Sequence, residues 1–269
     1  MVSIPIRRKR AKRPPRPGGD VTEKFSVEEM NPGLKDRPRP PYHPSQRRPR
    51  DAAVLALVDR SGTAPKVLLG RRHSNHVFMP GLYVFPGGKV EAADARVAAI
   101  GELPPHVGRR LQNQVLHPSP LRAKAYALAA VRELFEETGL LLGRKDTVAG
   151  GLQGEWKVFA EHVVAPCLSD LHFIARAITP PGIARRYDTR FFAADVSGVC
   201  HSIAGIVHGE AELVDLQWIP IGETSGLNIH KITQLVLTEL GDRLDKGLEA
   251  DLPVPFFRPR GGYLHRLEI

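Results

Sequence analysis

Cysteine is nearly missing from this 269-residue chain: Cys167 and Cys200 are the whole complement. Two cysteines make no disulfide framework, and their spacing matches no metal-ligand pattern. A reducing, cytoplasmic compartment is the expectation, with both thiols as ordinary buried side chains. Long apolar runs are missing too. Nothing approaches the ~18 apolar residues of a membrane span, and the N-terminus lacks the apolar stretch of a secretory signal. The eleven histidines show no His-x3-His spacing, so they point to no zinc site. No internal repeat is present, which sets aside solenoids and propellers.

What remains is an ordinary globular composition, 42% hydrophobic and 25% charged, long enough to bury a real core. The net charge of +9 is not spread evenly. Residues 1–50 hold 14 Lys and Arg against 5 Asp and Glu, whereas the rest holds 24 against 24. Ten prolines share those first fifty residues. Such a segment lacks the apolar side chains for a core, so residues 1–50 are expected to be a disordered basic tail. A solvated arm is favoured over a nucleic-acid arm, because no aromatic platform for base stacking is interleaved with the arginines.

The folded domain is expected over residues 51–269. Residues 52–59, 66–71 and 82–85 are Val- and Leu-rich runs separated by turn residues and read as strands. Residues 121–137 carry Leu121, Leu128, Val131 and Phe135 at helical spacing, with Gly139 as the stop. Residues 155–164 read as a short helix, and 171–179, 189–194 and 211–219 as strands. Residues 229–248 read as a second long helix. The last twenty residues, with their prolines and glycines, read as an irregular extension. Strands and helices without regular alternation suggest an α/β chain with a mixed sheet between helices.

The most informative run closes the first long helix: Arg132-Glu133-Leu134-Phe135-Glu136-Glu137-Thr138-Gly139-Leu140. Residues three and four apart share a helix face, so Glu133 lies beside Glu136 and Glu137. Each like-charge pair costs roughly 0.2–0.5 kcal/mol. The negative end of the helix dipole disfavours carboxylates there as well. A hard divalent cation bound by oxygens would relieve both. Upstream, Phe85-Pro86-Gly87-Gly88 supplies a loop whose glycines let an ion approach the backbone.

Together these segments resemble the Nudix hydrolase box, G-x5-E-x7-R-E-U-x-E-E-x-G-U, with U aliphatic. Gly88 matches its first glycine, and Arg132, Glu133, Leu134, Glu136, Glu137, Gly139 and Leu140 match its second half without a gap. Two positions depart. Asp94 stands where the first glutamate belongs, and is not expected to be a primary ligand. The seven-residue spacer is replaced by residues 95–131, thirty more than the pattern holds. That insertion, centred on residues 95–120, is expected to be a loop with small helices.

The resemblance implies a Nudix-type α/β/α sandwich and hydrolysis of a diphosphate in a small-molecule nucleoside diphosphate derivative, with Mg²⁺ or Mn²⁺. It implies metal ligation by Gly88, Glu133, Glu136 and Glu137, with Arg132 holding the glutamates. Glu133 is the candidate base; a later-loop acid, Glu210 or Glu212, is the alternative. Together with Leu68-Leu69-Gly70-Arg71-Arg72 and Arg186-Tyr187-Asp188-Thr189-Arg190, the long insertion resembles the branch of peroxisomal coenzyme A diphosphatases and their bacterial relatives. Coenzyme A or acyl-coenzyme A is then the leading substrate. An ADP-ribose or NADH diphosphatase, or a binding-only nucleotide or RNA domain, are the alternatives. Arg71, Arg72 and Arg190 are candidates for phosphate binding. The chain closes on Leu267-Glu268-Ile269 rather than a peroxisomal Ser-Lys-Leu.

Overall fold

The structure is a computed structural model that describes residues 23–30, 48–74, 80–146, 154–183, 185–248 and 251–269. Its elements run β1 (Glu23–Ser26), α1 (Val27–Met30), β2 (Arg50–Asp59), β3 (Lys66–Arg72), β4 (Tyr83–Val84) and β5 (Gly87–Lys89). The insertion carries α2 (Pro105–Gln112) and leads to α3 (Pro120–Thr138). Then come β6 (Leu140–Leu142), β7 (Arg144–Lys145), α4 (Trp156–Glu161), β8 (Val164–Ala165), β9 (His172–Ile178), β10 (Tyr187–Asp195) and β11 (Val199–Ser202). β12 (Leu213–Pro220), α5 (Lys231–Lys246), β13 (Pro255–Arg260) and β14 (Tyr263–Glu268) close the chain.

Among the described residues the main sheet runs β1-β14-β13-β9-β10-β2-β3-β12, with β4 on β3 and β5 on β2. The β10–β2 and β13–β9 pairs are parallel and the others antiparallel, so the sheet is mixed as expected. It lies between two helical layers. Along β2, Ala53, Leu55 and Leu57 join the cluster under α3, while Ala56 and Val58 join the one under α5. A strand buried on both faces reads as a continuous apolar run, which is what residues 52–58 are.

Local signals set the long helices. Ser119 caps α3, its Oγ accepting from the Arg122 N–H at 3.2 Å, and Pro120 starts the first turn. Gly139 ends it with φ 76°, a left-handed cap that costs glycine little. α5 presents Val236, Leu237 and Leu240 to the opposite face. Among the described residues, no helix is long and apolar enough to cross a membrane.

Two expectations are corrected. The last twenty residues are not irregular: β13 and β14 form a hairpin whose two-residue turn, Gly261-Gly262, has φ of 59° and 81°. Positive φ at both positions suits a tight hairpin and favours glycine. The prolines fit because β13 meets β9 through only Phe256 and Phe257, so Pro259 owes that strand no N–H. Nor is residues 1–50 wholly a tail. β1 pairs with β14 from Glu23↔Arg266 to Ser26↔Tyr263, Phe25 sits against Phe257, and Met30 is buried. The hairpin offers an open edge, and a short strand carrying Phe25 covers it. Residues 1–22 and 31–47 of that expected tail lie outside the described residues.

Candidate active site

β4 stops at Val84, before Pro86, and the glycine pair opens a separate strand, β5, antiparallel to β2, with Gly88 opposite Ala53 and Gly87 opposite Val54. A Cβ on Gly87 would run into Ala53 and Val54 of β2, and one on Gly88 would overlap the Glu133 carboxylate. Both positions therefore need glycine for close approach. Gly88 and Glu133, 45 positions apart in sequence, are in direct contact.

Arg132 organises the helix end. Its Nε donates to Asp94 Oδ1 at 2.9 Å and its Nη2 to Asp94 Oδ2 at 3.2 Å. Nη1 donates to Glu133 Oε1 at 3.0 Å and Glu136 Oε1 at 2.7 Å, while Nη2 also reaches the Lys89 carbonyl at 2.8 Å. One planar guanidinium thus ties α3 to the glycine loop and to the start of the insertion. Asp94 is fully buried and also accepts from Trp156 Nε1 and the Glu91 N–H. Both oxygens of its carboxylate accept from Arg132. The buried guanidinium loses hydration, but Asp94, Glu133 and Glu136 outweigh that loss and hold it firmly protonated.

The carboxylates are electrostatically strained. Burial pushes Glu133 up to about 7; Arg132 opposes this, while Glu136 and Glu212 add to it. Burial also raises Glu136 against Arg132. Glu137, 2.9 Å from the Gly87 N–H it accepts, is driven well above the usual range by burial and then by Glu212, with Arg72 opposing. Glu133, Glu136, Glu137 and Glu212 all line one cavity of about 400 Å³.

The donors available there, carboxylates and a backbone carbonyl, are hard oxygens of the kind Mg²⁺ and Mn²⁺ take. Among the described residues no three His, Cys, Asp or Glu side chains stand in a tight ligating cluster. Arg132 instead occupies the near oxygens of Glu133 and Glu136. The close approach of the Glu133 carboxylate to Gly88 and the mutual repulsion of the acids are nevertheless what a cation would exploit, so the residues fit the ion.

The expected phosphate-binding arginines separate. Arg72 lines the cavity and pairs with Glu212 at 3.0 Å. Arg71 is its neighbour on β3 and points to the other face, half exposed, 3.9 Å from Asp215 and away from the cavity. Arg190 is also corrected. It is buried on the α3 side, 2.7 Å from Asp51 and 3.3 Å from Asp188, with its guanidinium 3.9 Å from the Tyr126 ring centroid. The same network pins the insertion: Arg176 donates to the Asn113 carbonyl and Arg122 to the Leu116 carbonyl. Of the two later-loop acids, Glu212 faces the cavity and exposed Glu210 does not. Lys89, Arg185, His230 and Met30 also line it without having been anticipated. Lys89 directly follows the glycine pair and was the most legible of these.

No family model matches the chain. It is 29% identical over 211 residues to the acyl-coenzyme A diphosphatase NUDT19 of Gallus gallus, covering 56% of each chain. The Xenopus laevis protein of the same name is 34% identical over 95 residues, 29% of this chain and 25% of that one. Among solved structures, a NUDIX hydrolase from Alicyclobacillus acidocaldarius superposes with a TM-score of 0.54 at 26% identity, over 72% of this chain and 91% of that one. The chain is similar to Nudix hydrolases in sequence and in fold. Its Nudix box is split by the insertion in sequence and closed in space by Arg132 and Gly88. The chain spans about half the length, or less, of the curated relatives it matches.

Proposed function

We propose that this chain is a divalent-cation-dependent pyrophosphohydrolase, acting on a nucleoside diphosphate derivative with coenzyme A or acyl-coenzyme A as the preferred class. The observation that carries the reading is the contact of the Glu133 carboxylate with Gly88, beside Glu136 and Glu137 in one cavity. Gly88, through its carbonyl, and Glu136 and Glu137 would hold the ion. When bound, Mg²⁺ or Mn²⁺ supplies charge neutralisation of the diphosphate and a more acidic water. Glu133, buried beside Gly88 at the end of α3, would accept the proton of the attacking water. The water oxygen bonds to one phosphorus as the bridging P–O bond breaks, and the other phosphate leaves. Arg132 keeps Glu133 and Glu136 in register, and Arg72 lies where it can meet a phosphate oxygen. The substrate class draws support from the likeness to the NUDT19 proteins.

The test is hydrolysis of coenzyme A, acyl-coenzyme A, ADP-ribose and NADH with Mg²⁺, with Mn²⁺ and with EDTA. Turnover of the coenzyme A compounds that stops in EDTA is expected. Preference for ADP-ribose or NADH would overturn the substrate class, and no cation-dependent turnover of any would overturn the reading.

A further inference from the structure

Each oxygen of the buried Asp94 carboxylate accepts two hydrogen bonds. Arg132 supplies one to each, through Nε and Nη2. The Glu91 N–H gives Oδ2 its second at 2.8 Å, and the indole Nε1–H of Trp156 gives Oδ1 its second at 3.2 Å. An ionised carboxylate accepts about four hydrogen bonds, so this one has no position left. Apart from a backbone amide and Arg132 itself, Trp156 is the donor that fixes it. Trp156 lies 62 positions along the sequence from Asp94, outside both the box and the insertion.

The indole is itself held in place. Trp156 is buried, and its ring lies 4.9 Å from that of Phe159. Phe159 in turn meets Phe135 of α3 edge-on, with 5.7 Å between centroids. α4 is thus tied to the glutamate end of α3 by its rings and, through Asp94, by a hydrogen bond. A buried indole N–H usually finds some acceptor, and a backbone carbonyl would serve. This one uses the carboxylate on which Arg132 rests. Without the indole bond that carboxylate can turn about its Cβ–Cγ bond, and the guanidinium paired with it turns too. What moves then is the far side of Arg132, where Nη1 binds Oε1 of both Glu133 and Glu136. Their Oε2 atoms accept no hydrogen bond among the described residues, which leaves them for a cation or a water.

Resting on the catalytic reading above, we propose that Trp156 is a positioning residue for the cation site: its indole N–H sets Asp94, Asp94 sets Arg132, and Arg132 presents Glu133 and Glu136. Groups that orient the ligands of a metal are worth about 10–100-fold in affinity or activity, and the indole stands in that place.

The experiment removes the indole N–H and keeps its shape. The chain has two tryptophans, and Trp218 is partly exposed on β12 and does not line the cavity. The full chain carrying Trp218→Phe is the reference. The same chain is made with benzothienylalanine for tryptophan, whose ring holds sulfur where the N–H was, and Trp156→Phe is made beside it. Mn²⁺ affinity is read from the paramagnetic resonance of the free ion. A thermal melt, and kcat and KM for the compound of the panel above that is turned over fastest, accompany it. Removing the donor is expected to raise the Mn²⁺ Kd about tenfold and lower kcat about tenfold, with KM within twofold. The benzothienyl ring fills the indole's space, so the result does not hang on how Trp156→Phe folds. A Mn²⁺ Kd within twofold of the reference in the benzothienyl protein overturns the proposal, and a lower melting temperature alone makes Trp156 a core residue only. A reference protein that binds Mn²⁺ yet hydrolyses nothing refutes the catalytic reading, and the Mn²⁺ comparison still decides the role of Trp156. A reference protein that binds no Mn²⁺ overturns both.

Discussion

Arg132 and Asp94 are both buried and joined at 2.9 Å, Nε to Oδ1, although 38 positions separate them. This pair fixes the second half of the Nudix box to the start of the insertion. It returns the helix end to the glycine loop across the extra residues of the insertion, which Arg176, Arg122 and the buried Val97, Val107 and Leu111 fasten in turn.

Asp94→Asn should therefore be costly. It leaves a buried guanidinium with one charge fewer to face, and breaking such pairs costs about 3–5 kcal/mol. Urea unfolding is expected to show a loss at the lower end of that range, because Glu133 and Glu136 still pair with Arg132. A loss below about 1 kcal/mol, the scale of an exposed pair, would contradict the structural role.

Stability should depend on pH in an unusual direction. Glu133 titrates at about 7 in the fold against 4.5 as a free side chain, and Glu136 and Glu137 shift the same way. A carboxylate with a raised folded-state pKa contributes stability that is complete below its unfolded pKa and is lost as pH rises through the folded one. In EDTA the protein is expected to lose on the order of 2–3 kcal/mol between about pH 5 and pH 8. Saturating Mg²⁺ should flatten the curve, since it binds the ionised form. Unfolding free energies constant over this window in EDTA would rule the strain out.

The two arginines should part company in kinetics. Arg190→Ala removes a buried cation shared by Asp51 and Asp188, and is expected to lower stability by about 3 kcal/mol while KM stays within twofold. Arg72→Ala removes a cation beside Glu137 and Glu212 and should raise KM several-fold. Steady-state kinetics with a thermal melt for each variant decides it; a large KM change in Arg190→Ala alone would reverse the assignment.

Much of the site was legible because its signals are local. Glu133, Glu136 and Glu137 share a helix face whatever the fold, and Gly139 marks where that helix stops. Gly87-Gly88 announced close backbone approach. Arg190 misled because a buried arginine and a phosphate-binding one look the same in sequence; only its position between Asp51, Asp188 and Tyr126 separates them. Phe256-Phe257 hid a strand, since a strand flanked on both sides buries consecutive residues and shows no alternation. Met30 could not be foreseen. Its segment pairs with β14, more than two hundred residues downstream, and lies within a stretch of fifty residues rich in proline and arginine.

The central claim is that the glutamates at the end of α3 hold a catalytic divalent cation. Turnover of acyl-coenzyme A at saturating Mg²⁺, compared between the parent and Glu136→Gln, tests it most directly, with circular dichroism to confirm the fold. A fall of roughly two or more orders of magnitude with an unchanged spectrum is expected. Undiminished hydrolysis by a folded Glu136→Gln protein would contradict it.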